Sequence, residues 1–154
     1  MKQTLRTDKA LALYRTMDTA KYGKMADEDK VRVWKIARAM RPVALGFEEE
    51  SSSAAEKMKP SEDFSERWQR AQEYERMKNQ GATDTLPMTD TEYRSFVAEF
   101  RRYDALVNKA VGELGAKEVE LEFEGISEDA FGKLMASNEW TINQALELGM
   151  LIIE

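Results

Sequence analysis

The sequence predicts a mainly α-helical fold, a helical hairpin or bundle carrying a small two-stranded C-terminal α+β element. Three observations predict it. Val33, Ile36, Met40, Val43 and Phe47 recur at spacings of three and four, the stripe of an amphipathic helix. Tyr93, Phe96, Phe100, Tyr103, Val107, Ala110 and Leu114 repeat strictly as three, four, three, four. That is a coiled-coil-like heptad seam, the pattern that lays one helix along another. The run Glu118, Val119, Glu120, Leu121, Glu122, Phe123, Glu124 then alternates charge and hydrophobe, the period of a half-buried strand.

Taken in order, the first helix is expected to start after Thr7 or Asp8, whose side chains suit free amides at a helix start. Ala10, Leu13, Met17 and Ala20 follow at helical spacing, and Gly23 is the expected stop. Asp27 is the expected cap of the second helix, with Glu28 and Asp29 at the positive end of its dipole. Pro42 lacks the donor for residue 38 and predicts a kink or a break just before it. Glu48, Glu49, Glu50, Ser51, Ser52 and Ser53 read either as an exposed continuation of the helix or as a frayed linker. Pro60 and Ser61 restart the chain, and Phe64, Trp68, Ala71 and Tyr74 set a third, highly charged helix within 61–79. Residues 79–87 read as a loop from their Gly, Thr, Asp and Pro content.

Thr89 and Glu92 form a capping box that opens the fourth helix, and Gly115 is expected to end it. The following strand turns Val119, Leu121 and Phe123 inward and needs a partner for its backbone groups. The expected partner within the chain is the apolar run Met150, Leu151, Ile152, Ile153, with another protomer as the alternative. Between them Ser127 caps a short helix carrying Phe131, Leu134 and Met135. Thr141 and Gln144 box a second one through Ala145 and Leu148 to Gly149. The expected organisation is a helical hairpin or bundle over 1–115, with the strand–helix–helix–strand element of 116–154 packed on it as one folding unit. Helices two and four dominate it, Val33, Ile36, Met40 and Phe47 on one and Phe96, Phe100, Tyr103 and Val107 on the other.

Composition prunes function hard. The chain has no cysteine, which excludes disulfides, thiolate zinc sites and thiol catalysis. It has no histidine, which removes the commonest general base, the usual triad and most transition-metal sites. No phosphate loop, nucleophile elbow, metalloprotease motif or dinucleotide fingerprint occurs. The expectation is therefore no enzyme, no cofactor and no metal. No apolar run reaches the ~20 residues of a membrane span. Residues 1–13 alternate charge and hydrophobe where a signal peptide is unbroken, which predicts a cytoplasmic protein without a membrane partner.

The net charge of −6 is unevenly spread. Residues 1–45 hold eleven Lys/Arg against five Asp/Glu, and the remainder holds twelve against twenty-four. Arg32, Lys35, Arg38 and Arg41 form a basic ribbon on the second helix, beside Trp34 and near Lys24 and Lys30. Phosphates of a nucleic acid favour such a row, though solvated helix faces look the same. The row Glu118, Glu120, Glu122, Glu124 reads as a solvated strand face and lacks the spacing of a calcium loop. Trp34, Trp68, Trp140 and the aromatics of helix four read mostly as core residues, and whatever part of the helix-four seam helix two does not cover is expected to become an oligomer interface.

Two stretches carry a resemblance. One is Lys24, Met25, Ala26, Asp27, Glu28, Asp29, Lys30, leading into Ala37, Arg38, Ala39, Met40, Arg41, Pro42, Val43; the other is the C-terminal acidic strand with its short helices and closing apolar segment. Together they resemble small proteins encoded by bacteriophages, prophages and mobile elements. The resemblance implies a phage-associated assembly or accessory role in a bacterial host cell, virion association included. The resulting expectation is a non-enzymatic interaction or assembly factor, oligomeric or bound to a protein partner. Its interaction seam is Tyr93, Phe96, Phe100, Tyr103 and Val107. The alternative is a nucleic-acid-binding accessory protein using Arg32, Lys35, Arg38 and Arg41.

Overall fold

A computed structural model of the chain describes residues 1–82 and 85–154. The described residues form β1 (Lys2–Arg6), α1 (Thr7–Asp18), α2 (Asp27–Lys57), α3 (Phe64–Asn79), α4 (Asp90–Ala116), β2 (Glu118–Glu122), α5 (Glu128–Ala136) and α6 (Ile142–Ile152). The fold is mainly α with a small β element, as expected. No described helix is long and apolar enough to cross a membrane. Thr83 and Asp84, part of the expected loop 79–87, lie outside the described residues.

The chain divides into two compact units, Met1–Ser51 with Glu113–Glu154, and Ser52–Gly112. The divisions fall inside α2 and α4, so the expected boundary at 115/116 is not where the cores separate.

In the first unit β2 pairs antiparallel with β1, in the register Lys2↔Glu122, Gln3↔Leu121, Thr4↔Glu120, Leu5↔Val119, Arg6↔Glu118. This corrects the expected pairing with the C-terminal run. Across from the outward row of glutamates, Lys2 Nζ lies 3.5 Å from Glu120, while Arg6, in register with Glu118, turns its guanidinium to Asp8. The C-terminal run offers no charge to oppose them. The ladder is extended at both ends. The Met1 ammonium donates to Phe123 O at 2.8 Å, and Thr7 N and Oγ1 both donate to Lys117 O, at 2.8 and 2.7 Å.

Met150, Leu151 and Ile152 instead continue α6, and Ile153 makes one parallel bridge to Ile126. A short apolar run has no period that separates a strand from a buried helical turn. Here the capping box decides: Thr141 Oγ1 accepts from Gln144 N while Gln144 Oε1 accepts from Thr141 N, and the helix runs through Gly149. Ser127 caps α5 as expected, its Oγ accepting from Ala130 N at 3.2 Å. Gly125 sits where a Cβ would stand 2.8 Å from Ile152 O, so the crossing of 125 over the end of α6 requires glycine.

The first core takes Ala10, Leu13 and Met17 from α1, and Val33, Ile36 and Met40 from α2. Leu121, Phe123 and Ile126 join them, with Phe131 and Leu134 of α5 and Leu148, Leu151 and Ile152 of α6. α1 stops at Asp18 rather than Gly23. In α2, Ala26 O accepts from Lys30 N, so Asp27 stands inside the first turn rather than at the cap. The helix runs through Pro42 without a break, held by Met40 and Ala44, which are fully buried on either side. Residues 48–53 belong to it, which settles them as a helical continuation.

The second unit is aromatic. Phe64 is fully buried, with ring centroids 5.4 Å from Phe96, 6.4 Å from Phe100, 4.8 Å from Tyr103 and 6.1 Å from Trp68. The heptad seam of α4 is therefore covered by α3. The stripe Val33, Ile36, Met40 belongs to the other core, so helices two and four do not pair along the expected faces. Thr89 opens α4 by accepting from Glu92 N at 3.1 Å, but its hydroxyl donates to the Glu92 carboxylate. α4 passes Gly115 and ends at Ala116. α3 closes with Gly81 at φ 77°, which returns Gly81 N to Lys78 O and Ala82 N to Met77 O.

Arg67 clamps this unit, donating Nη1 to Glu99 Oε2 at 2.6 Å and Nη2 to Glu99 Oε1 at 3.2 Å, while its guanidinium lies 5.8 Å from the Phe64 ring. The hydrogen bonds from Arg67 hold the Glu99 carboxyl below its ordinary 4.5. The Tyr93 hydroxyl donates to Glu75, which pushes the phenol up to about 12.

Two outcomes are expected. Phe64→Ala should destabilise the aromatic unit by about 3–5 kcal/mol, read by denaturant titration with Trp68 fluorescence as the probe. A carboxyl lowered on folding contributes stability that is complete above its unfolded value and fades as pH falls through the folded one. Thermal melts should therefore show a loss below the ordinary Glu99 value of 4.5, and Glu99→Gln should flatten it.

Candidate interaction surfaces

The five residues of the expected seam lie inside the aromatic unit. Phe96 and Tyr103 are buried, and Tyr93, Phe100 and Val107 pack against that core. Tyr103 also donates its hydroxyl to Ala55 O at 3.1 Å. The seam is spent within one chain and is not a free face, because α3 supplies Phe64, Ala71 and Tyr74 to cover it.

The basic ribbon splits. Arg32 turns to Glu28 at 3.2 Å and to Glu124 at 3.5 Å. Lys35 is exposed and lines no described pocket. Arg38 and Arg41 face a groove of about 660 Å³ within the first unit, lined also by Tyr14, Met17, Asp18, Tyr22, Lys30, Trp34 and Ala37. Residues 30, 34, 38 and 41 follow one another at spacings of four, four and three, so they share a face of α2. A row spaced every third residue drifts off any one face, so the ribbon shares only Arg38 and Arg41 with this groove, where Lys30 stands in place of Arg32 and Lys35.

Trp34 is 57% exposed, correcting its expected place in the core. The Arg38 guanidinium carbon lies 5.3 Å from its ring centroid. Across the groove, Tyr22 donates its hydroxyl to Met17 O at 2.6 Å, and burial followed by the charge of Asp18 raises its phenol. Lys30 lies 3.4 Å from Asp27, whereas Arg38 and Arg41 form no ion pair with any described residue.

The second surface is the outer side of α6, which the sequence reading missed. Ile142, Leu146 and Met150 recur every fourth residue and are 79%, 58% and 81% exposed. Met135 of α5 and Ala145 line the same shallow apolar cavity of about 550 Å³. The opposite side of α6 carries Leu148, Leu151 and Ile152 into the core. The signal was present: from 142 to 152 the only charged residue is Glu147, more apolar surface than one buried face consumes. Glu147 pairs with Lys9 of α1.

Among the described residues no group of three or more acidic side chains is arranged to hold a metal ion. The glutamates of β2 lie on the outer side of the ladder, and Glu118, Glu120 and Glu122 are exposed. Comparison with protein-family models, curated proteins and solved structures gives no match.

In a Trp68→Phe, Trp140→Phe variant the remaining indole, Trp34, should emit at long wavelength and be quenched by acrylamide nearly as free tryptophan is. A blue-shifted, protected emission would contradict the open groove.

Proposed function

We propose that this chain is a non-enzymatic interaction and assembly factor, of the phage or mobile-element type its sequence resembles, and that two copies associate through α6. The observation that supports it is the exposed stripe Ile142, Leu146, Met150. Single exposed aliphatic residues are ordinary, but three on one helical face beside Met135 make a patch.

A second copy is the occupant that suits this face. The stripe is neutral, and the one charged residue of α6 is already paired with Lys9, so self-packing buries no unpaired charge. A twofold axis brings the same patch to both sides of the interface. Fully burying an aliphatic side chain is worth about 1.5–3 kcal/mol. The patch is small, so the dimer is a weak and reversible one, formed and released under control of concentration. The site of action that goes with this reading is the cytoplasm of a bacterial host.

Sedimentation velocity over a concentration series should show a reversible monomer–dimer equilibrium. Leu146→Asp with Met150→Asp should abolish it while leaving the circular dichroism unchanged, because both side chains are exposed. A wild-type chain that stays monomeric throughout, or a dimer that survives the double substitution, would refute this use of α6.

A further inference from the structure

The groove between α1 and α2 lies apart from the α6 stripe and shares no lining residue with it. We propose that this groove binds single-stranded nucleic acid, with bases stacking against Trp34 and phosphates held by Lys30, Arg38 and Arg41.

The lining matches the chemistry of an unpaired strand, which offers phosphates and bare base faces together. Lys30, Arg38 and Arg41 stand against Asp18 in the lining and Asp27 beside Lys30, which leaves the groove a positive balance of one within an acidic protein. Arg38 and Arg41 have no carboxylate partner among the described residues, so no ion pair has to break before a phosphate binds. Lys30 and Arg41 are eleven residues apart, about 16 Å along the helix at 1.5 Å per residue, which is room for several successive phosphates. Between them stands an indole more than half exposed, with Tyr14 and Tyr22 lining the groove across from it. An exposed aromatic ring flanked by cations is the device that binds unpaired bases without regard to sequence. A duplex hides those base faces in its own stack, and an acidic peptide would use the cations while leaving the ring unmatched.

The test is fluorescence anisotropy of a labelled oligodeoxythymidine of about twelve nucleotides with the full chain. Three phosphate contacts on a single strand give a slope of about −2 in log affinity against log salt, an approximately twentyfold loss between about 50 and 200 mM. Trp34→Ala should weaken binding at least about fivefold, and Trp34→Phe should restore part of it by keeping a ring. Arg38→Gln with Arg41→Gln should weaken binding and shrink the salt slope by about 1.4. Arg32→Gln and Lys35→Gln should change neither quantity, since neither residue lines the groove. The α6 double substitution should leave binding intact for the monomer, which separates this proposal from that of the dimer. The proposal is overturned by absent binding, by equal losses in the Lys35 and Arg38/Arg41 variants, or by preference for a duplex of the same length. Capture of a polyglutamate peptide in place of the oligonucleotide would overturn it as well.

Discussion

The first unit depends on one long-range interaction, the antiparallel ladder between residues 2–6 and 118–122. It joins segments more than a hundred residues apart, and the entropy of closing so long a loop rises only slowly with its length. The five register pairs, the Met1 ammonium on Phe123 O and the double donation of Thr7 to Lys117 O offset that cost together. The ladder also fixes where α1 begins, because α1 follows β1 without an intervening loop. With its start fixed, α1 turns Ala10, Leu13 and Met17 to the core and Tyr14 and Asp18 to the groove. The α1 wall of the groove thus inherits its position from the strand pairing.

The two cores are built differently. The first is mostly aliphatic, with Phe123 and Phe131 among its buried residues, and draws on α1, α2, α5 and α6 and the inward residues of the ladder. The second stacks Phe64, Trp68, Phe96, Phe100 and Tyr103, with Arg67 pinned between the Phe64 ring and Glu99. An arginine held in two hydrogen bonds to one carboxylate, with its plane near aromatic rings, gives direction as well as energy. That directionality suits a unit whose rings would otherwise pack in several comparable ways. It also explains why so regular a heptad seam need not mean a second chain: a neighbouring helix with its own aromatic stripe satisfies the seam first.

Local features were legible where a local interaction enforces them. The caps at Ser127 and Thr141, the strand at 118–122 and the long fourth helix each rest on residues within a turn or two of one another. The stop at Gly23 and the break at Pro42 were not, because each was read from one residue's preference. Burial of Met40 and Ala44 overrides the proline. The surfaces were legible only in part. Lys30, Trp34, Arg38 and Arg41 were all in view, but a ribbon drawn every third residue included Arg32 and Lys35 and placed Trp34 in the core.

The sequence by itself determined the fold class, most of the helices, the half-buried strand and the absence of thiol and imidazole chemistry, since these follow from residue type and short-range period. Only the tertiary structure decided which strand pairs with β2, which helix covers the α4 seam, and which cations share a groove with Trp34. It alone decided that the second apolar side of α6 is left in water. Those four outcomes depend on what stands across from a residue in space, and no spacing along the chain encodes that.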